Sequence, residues 1–414
     1  MSSPTESTLP TSRRFQTFRA LRHRNFRLFW LGQIVSLTGT WMQTIAQGWL
    51  VYELTDSPFM LGLVNFISLV PVVPVSLVAG VISDRFSRRT IVLIAEIILL
   101  LQAAVLALLI LTDVIQVWHL MLLSFVLGAA VALEQPARLA LVVDMVGRED
   151  LSNAIALNSA VFNGARIIGP AAAGLLVAAV GVAGCFILNS ATYLVAIITL
   201  VFIKLPPHIK PETPLKVGGS MVSGFKYVWG NKTVRALMAI VTVTSFFSLS
   251  FVVLATIFAS DVLDAGPTGL GFLMAGVGIG AVIGALIVAN LQAGHRGKWL
   301  TIGNVIGPAI LILFALSSSF AISFILIVLV GISNAIRQTL ATSLIQITTP
   351  EEYQGRVMSI FNLLFNGMSR LGNLGVGAAA EVTGVAAAVG LGAAGSLAWG
   401  VFVLWRLRYV RDLP

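Results

Sequence analysis

The chain has 414 residues, of which 57% are hydrophobic and 10% charged, with a formal net charge of +9; an ordinary soluble domain carries about 25% charged residues. Its mean hydropathy of +0.95 means more apolar surface than a globular chain of this length can bury. A soluble enzyme or binding module is excluded, and recurring apolar runs long enough to cross a bilayer as helix make this an all-α, polytopic membrane protein.

Cys185 is the only cysteine, which excludes an intrachain disulfide. His23, His119, His208 and His295 stand apart from one another and from other ligand types, so neither a metal site nor a cofactor site is readable. The basic excess marks loops on the cytoplasmic side rather than a nucleic-acid surface.

In chain order, residues 1–27 form a polar and basic tail. Its first part is rich in Ser, Thr and Pro and has no cleavable signal; Arg13 to Arg27 then carries six arginines interleaved with Phe and Leu, an amphipathic stretch suited to inner headgroups. Membrane spans are predicted at 28–51, 59–82, 90–111, 117–140, 151–178 and 182–203, forming an N-terminal bundle over 28–203. A hydrophilic central loop, 204–232, leads to a C-terminal bundle over 233–405 with spans at 234–260, 268–291, 299–316, 320–346, 356–380 and 384–405. Residues 406–414 form a basic cytoplasmic tail.

Twelve spans put both termini on one side. The positive-inside rule makes that side cytoplasmic, with Arg85, Arg88, Arg89, Arg148, Lys204, Lys210, Lys216, Lys226, Lys232, Arg296, Lys298, Arg356, Arg406, Arg408 and Arg411 on it. The opposite loops hold Glu53, Asp56, Asp113, Asp261, Asp264 and Glu381 and no Lys or Arg.

The halves resemble each other. Gly128–Gly169 aligns with Gly331–Gly372 without gaps, setting Glu134 on Arg337 and Phe162-Asn163-Gly164 on Phe365-Asn366-Gly367. Ser57-Pro58 with Leu61-Gly62 matches Gly266-Pro267 with Leu270-Gly271. Parallel six-helix repeats joined by a long inner loop imply a transporter with its binding site between the halves.

Between the second and third spans, Gly80, Asp84, Arg85, Arg88 and Arg89 match the signature Gly-x-Leu-x-Asp-Arg-x-Gly-Arg-Arg/Lys, with Ile82 and Ser87 departing from it. On this motif and the repeat the chain resembles the major facilitator superfamily. Asn25-Phe26-Arg27-Leu28-Phe29, Trp49 to Pro58 and Tyr227-Val228-Trp229 resemble its bacterial branch of macrolide-efflux and enterobactin-export proteins. The resemblance implies alternating access, a bacterial cytoplasmic membrane, and export of a small siderophore-like, macrolide-like or other amphipathic or anionic compound, driven by protons and carried out by a monomer. An importer or facilitator of a small solute or lipid shares the fold. The resemblance also implies that Asp84 contacts the N-terminus of the eleventh helix while the inner gate is closed. The three arginines either tie the gate to neighbouring carboxylates or only anchor topology.

Glu134 lies well inside the hydrocarbon, where a carboxylate is costly unless paired or protonated. A contact with Arg337 across the inner gate is expected, either a coupling device broken by protonation or a permanent structural ion pair. Arg166 and Arg370, with Asn163 and Asn366 one turn away, share helix faces near mid-membrane and give the substrate cavity a positive balance. Gln33, Gln43 and Gln47 either bond substrate or bind neighbouring helices. Gly169, Pro170 and Gly174 resemble the antiporter motif of proton-driven exporters, with helix packing as an equal explanation.

Overall fold

The computed structural model describes residues 16–205, 217–291 and 294–413, and all regular structure in them is helical. Seven helices among them are long and apolar enough to cross a membrane. The N-terminal half contains α1 (Arg24–Thr55), α2 (Pro58–Ile67), α3 (Val72–Arg85), α4 (Arg88–Leu111) and α5 (Val117–Phe202). Next come α6 (Val217–Gly230), α7 (Lys232–Phe247), α8 (Phe251–Ile257) and a π-helical turn, Phe258–Val262. The remainder is α9 (Gly266–Ala289), α10 (Arg296–Ala315), α11 (Phe320–Thr348), α12 (Glu351–Thr383), α13 (Val385–Arg406) and α14 (Arg408–Arg411).

Helix α5 is three helical stretches joined at Gly147 (φ 70°) and Gly181 (φ 73°), a left-handed conformation that glycine adopts without a Cβ penalty. The chain reverses at both. Along α1, Gln47 meets Ser124 and Trp30 meets the Leu157 carbonyl, while Thr40 meets Tyr193. The first stretch reaches residue 146, beyond the predicted end at 140, because Arg88 holds Asp144 and the Ala140 carbonyl there.

Other boundaries follow local chemistry. Ser57 caps α2 by accepting from Met60 N, with Pro58 in the first turn. Asp56 ends α1 with φ 49°, and Asp113 and Asp264 adopt the same left-handed turn, which a short polar side chain tolerates. The predicted span 59–82 is split at 68–71, and the predicted span 234–260 is split before α8. Within the predicted central loop, α6 docks on α12: Tyr227 stacks on Tyr353 at 4.6 Å and Arg356 donates to Ser223 at 3.0 Å. The 3-10 turn Gln16–Arg22 ties to the bend at Gly147, with Arg19 2.6 Å and His23 2.8 Å from the Asp150 carboxylate. Lys210 and Lys216 lie outside the described residues.

Matching glycines pack the two halves alike. Gly169 abuts the backbone of α1 at Thr38 and Met42, and its counterpart Gly372 abuts Phe246 of α7. Gly128 lies on the Ser68 carbonyl and Gly331 on that of Val277.

Candidate functional site

The N-terminal half buries an ionic cluster. Glu134 and Arg138 are four residues apart on α5, hence on one face. Arg138 Nε donates to Glu134 Oε1 at 2.9 Å, and its Nη2 reaches the same oxygen. Glu96 of α4, 0% exposed, lies 3.7 Å from that Nη2. Gln33 Nε2 donates to Glu96 Oε1 at 3.4 Å, while Glu96 Oε2 is buried without a partner. Two buried carboxylates therefore share one partly exposed guanidinium, and a single proton would neutralise the cluster.

The expected Glu134–Arg337 contact is not made in this conformation. Glu134 is held within its own helix, and Arg337 Nη2 donates to Asn334 Oδ1 one turn back on α11. The helical i, i+3 and i, i+4 spacings put these partners within reach, whereas Glu134 and Arg337 belong to different halves. Arg138 and Glu96 are the residues that sequence reasoning missed. Both were readable by the rule that picked Glu134, since each is a charge inside an apolar run.

Arg138 and Gln33 line a cavity of about 410 Å³ walled by α1 and α5. Asn158, Ser159, Phe162 and Asn163 complete the wall, with Leu139 67% and Phe162 46% exposed. Among the expected cavity residues, then, Gln33 and Asn163 face this space. Asn366 is exposed on α12 and donates to the Asn362 carbonyl at 3.0 Å, as Asn163 does to Ser159 at 2.8 Å.

Of the two readings open for Gln43, its bonds are those of a helix tie. It donates to Gln102 at 2.9 Å and accepts from Asn189 at 2.5 Å, and Gln47 donates to Ser124 at 2.7 Å. Gln43 and Gln47 do border a second, smaller cavity of about 100 Å³, which Arg370 reaches from α12. Arg166 instead lies over Trp41, its guanidinium carbon 5.7 Å from the ring centroid, and Trp41 meets Phe162 edge-on. Arg166 and Arg370 therefore do not share one site in this conformation.

In the charged turn, Arg88 pairs with Asp144, while Arg89 donates at 2.8 Å to the carbonyls of Leu200 and Val201. Arg89 thus caps a helix C-terminus, where the dipole favours a cation. The side chains of Asp84 and Arg85, and the surroundings of Gly80, lie outside the described residues.

The halves meet along two related seams. At Gly271 of α9 an added Cβ would lie 2.8 Å from Gly174 Cα and 2.8 Å from the Pro170 carbonyl; at Gly377 of α12 it would lie 2.6 Å from the Pro58 carbonyl. Gly62 faces the Asn373 backbone in the same way. The antiporter-like Pro170 and Gly174 therefore pack on the opposite half, and Gly169 packs on α1. Tyr52 donates to Asp261 at 2.6 Å and Ser57 to Glu381 at 2.8 Å, closing the acidic end of both seams. At the basic end, no hydrogen bond or ion pair found among the described residues joins the halves.

Residues 15–412 match the protein family described as transmembrane secretion effector. The enterobactin exporter EntS of Escherichia coli (strain K12) is 28% identical over 406 residues, covering 95% of this chain and 94% of EntS. The staphyloferrin A transporter of Staphylococcus aureus (strain NCTC 8325 / PS 47) is 24% identical over 368 residues, covering 87% of this chain and 90% of that protein. Among solved structures, a POT family transporter in complex with 5-aminolevulinic acid shares the fold with a TM-score of 0.75 at 12% identity, covering 95% of this chain and 100% of that one.

Proposed function

We infer, from the premise that the chain belongs to the transmembrane secretion effector family of the major facilitator superfamily, that it is a proton-coupled exporter of a small acidic molecule. That it is a multi-pass integral membrane transporter and not an enzyme follows from the family itself. The finer reading has twelve spans in two six-helix bundles, 28–203 and 233–405, with both termini in the cytoplasm of a bacterial cell. On this reading the acidic end faces outward, and the seams at Gly174/Gly271 and Gly62/Gly377 hold an inward-open state.

One observation carries the coupling: Glu96, Glu134 and Arg138 sit together at the wall of the large cavity. Protonation of the pair and substrate binding beside it change the same local charge, so each biases the same bistable element. Asp84 and the arginines of its turn serve the inner gate, and rocking of the halves exchanges the open end. The enterobactin exporter and the staphyloferrin A transporter among its relatives support a siderophore-like substrate.

The decisive experiment uses inside-out vesicles carrying the protein. An imposed proton gradient, acid inside, is expected to drive uptake of a catecholate or citrate-type siderophore, and Glu134→Gln to abolish that dependence while the protein stays folded. Gradient-driven uptake unchanged in Glu134→Gln and Glu96→Gln would remove the coupling role. Uptake indifferent to the proton gradient in the wild type would mark a facilitator.

A further inference from the structure

The C-terminal half has its own buried charge, and it is solitary. Arg337 is only 7% exposed, and its Nε and Nη1 are buried without a partner. Asn304 of α10 is 0% exposed, and both atoms of its amide are likewise unpartnered. The two residues border the same space of about 30 Å³, together with Asn334, Thr244 and Phe365. Gly303 and Gly307 make that placement possible. An added Cβ would lie 3.0 Å from Arg337 Cγ at the first and would meet Ser333, one turn before Arg337 on α11, at the second, so the guanidinium rests along the strip of α10 that presents Asn304.

Charge decides what fits there. Helices α7, α10 and α11 contain no Asp or Glu, and the acids of α12 lie near its two ends. Among the described residues no carboxylate pairs with Arg337 in this conformation, and Glu134 is taken by Arg138. A bridging water would satisfy hydrogen bonds, and the space is large enough for one, but it would leave the buried positive charge unbalanced.

We propose that Arg337, Asn304 and Asn334 form a binding site for one compact monovalent anion, either a free halide or the carboxylate end of the transported molecule. The guanidinium supplies charge and two N–H donors, and the Asn304 amide supplies a further N–H. The Asn334 carbonyl, by accepting from Nη2, fixes the guanidinium plane. The carboxylate form deepens the export reading by assigning the acid-recognising group to α11; the halide form stands without it.

Thermal unfolding of the purified full chain in detergent tests this with sodium bromide and sodium benzoate as probes, at fixed ionic strength with sulfate as the balancing anion. The wild type is expected to show a saturable upward shift of the unfolding midpoint, as for any ligand that binds only the folded state. Bromide alone raising it would identify a free-halide site, and benzoate alone a site for an organic carboxylate; both raising it would mean the site accepts either. The shift is expected to vanish in Arg337→Gln. Should that variant not fold, Asn304→Asp carries the test, because its built-in carboxylate competes for the guanidinium and should abolish the shift in a folded protein. No anion-dependent shift in the wild type would leave a water-filled space and overturn the proposal. A shift of undiminished size in either folded variant would overturn it equally.

Discussion

In the N-terminal half one guanidinium answers two buried carboxylates, since Glu134 and Glu96 both lie against Arg138. Removing one partner of a buried ion pair costs about 3–5 kcal/mol, because the other charge is left uncompensated. Arg138→Met is therefore expected to lose stability on that scale, read from denaturant unfolding in detergent, and Arg138→Met with both Glu134→Gln and Glu96→Gln to regain most of it. Equal losses in the single and triple variants would refute the pairing. Gln43 makes a contrasting case, because its bonds to Gln102 and Asn189 are structural. Gln43→Leu should lower the unfolding midpoint, with a loss of about 1–3 kcal/mol from stranded amides, and leave the KM for transport unchanged. Asn158→Leu, at the wall of the large cavity, should raise KM with little change in stability. The sequence pointed to Glu134 by depth alone. Arg138 was legible four residues on in the same helix, but that Glu96 of α4 shares it was not, because an apolar run says nothing about side-chain direction between helices.

Among elements, the inter-half seams turn on small residues. The contacts at Gly174 and Gly271 are backbone against backbone, so a larger side chain has nowhere to rotate. Gly271→Val is expected to force the acidic end apart and bias the transporter toward the state open at that end, seen as increased labelling of a cysteine placed at Thr268, which lies beside the Gly174 carbonyl. Gly128→Val clashes with Ser68 of its own half and should reduce stability without that bias. The Gly-Pro motif on α5 was legible as either antiporter signature or packing device. The packing is now explicit, and at Pro170 and Gly174 it joins the two halves. Helix boundaries were less legible. Residues 141–146 continue as helix because Arg88 reaches across from α4, a tertiary cause that local propensity does not contain.

At the scale of the whole molecule, the contacts between halves gather at the acidic end, and the large cavity lies among residues of the basic side of α1 and α5. Spin labels at Arg148 and Glu352, both exposed near the basic end, are expected to report a long distance that shortens when the opposite state is populated. Labels at Thr112 and Thr383 near the acidic end, also exposed, should move the other way. A fixed distance in both pairs during transport would exclude rocking of the halves.

The sequence alone determined the solvent of this protein, its helical class, its internal repeat and the family to which it belongs. Those follow from composition and from residues read in order, because a bilayer allows few ways to satisfy a backbone. Tertiary structure decided the partners. It gave Glu134 to Arg138 rather than to Arg337, drew Glu96 into the same cluster, turned Gln43 into a tie and left Arg337 beside Asn304 without a counter-charge. Depth in the membrane is written along one helix. The Glu134–Arg138 spacing is written there too, but that Glu96 joins the pair depends on how α4 and α5 are rotated against one another, and neither stretch alone encodes that.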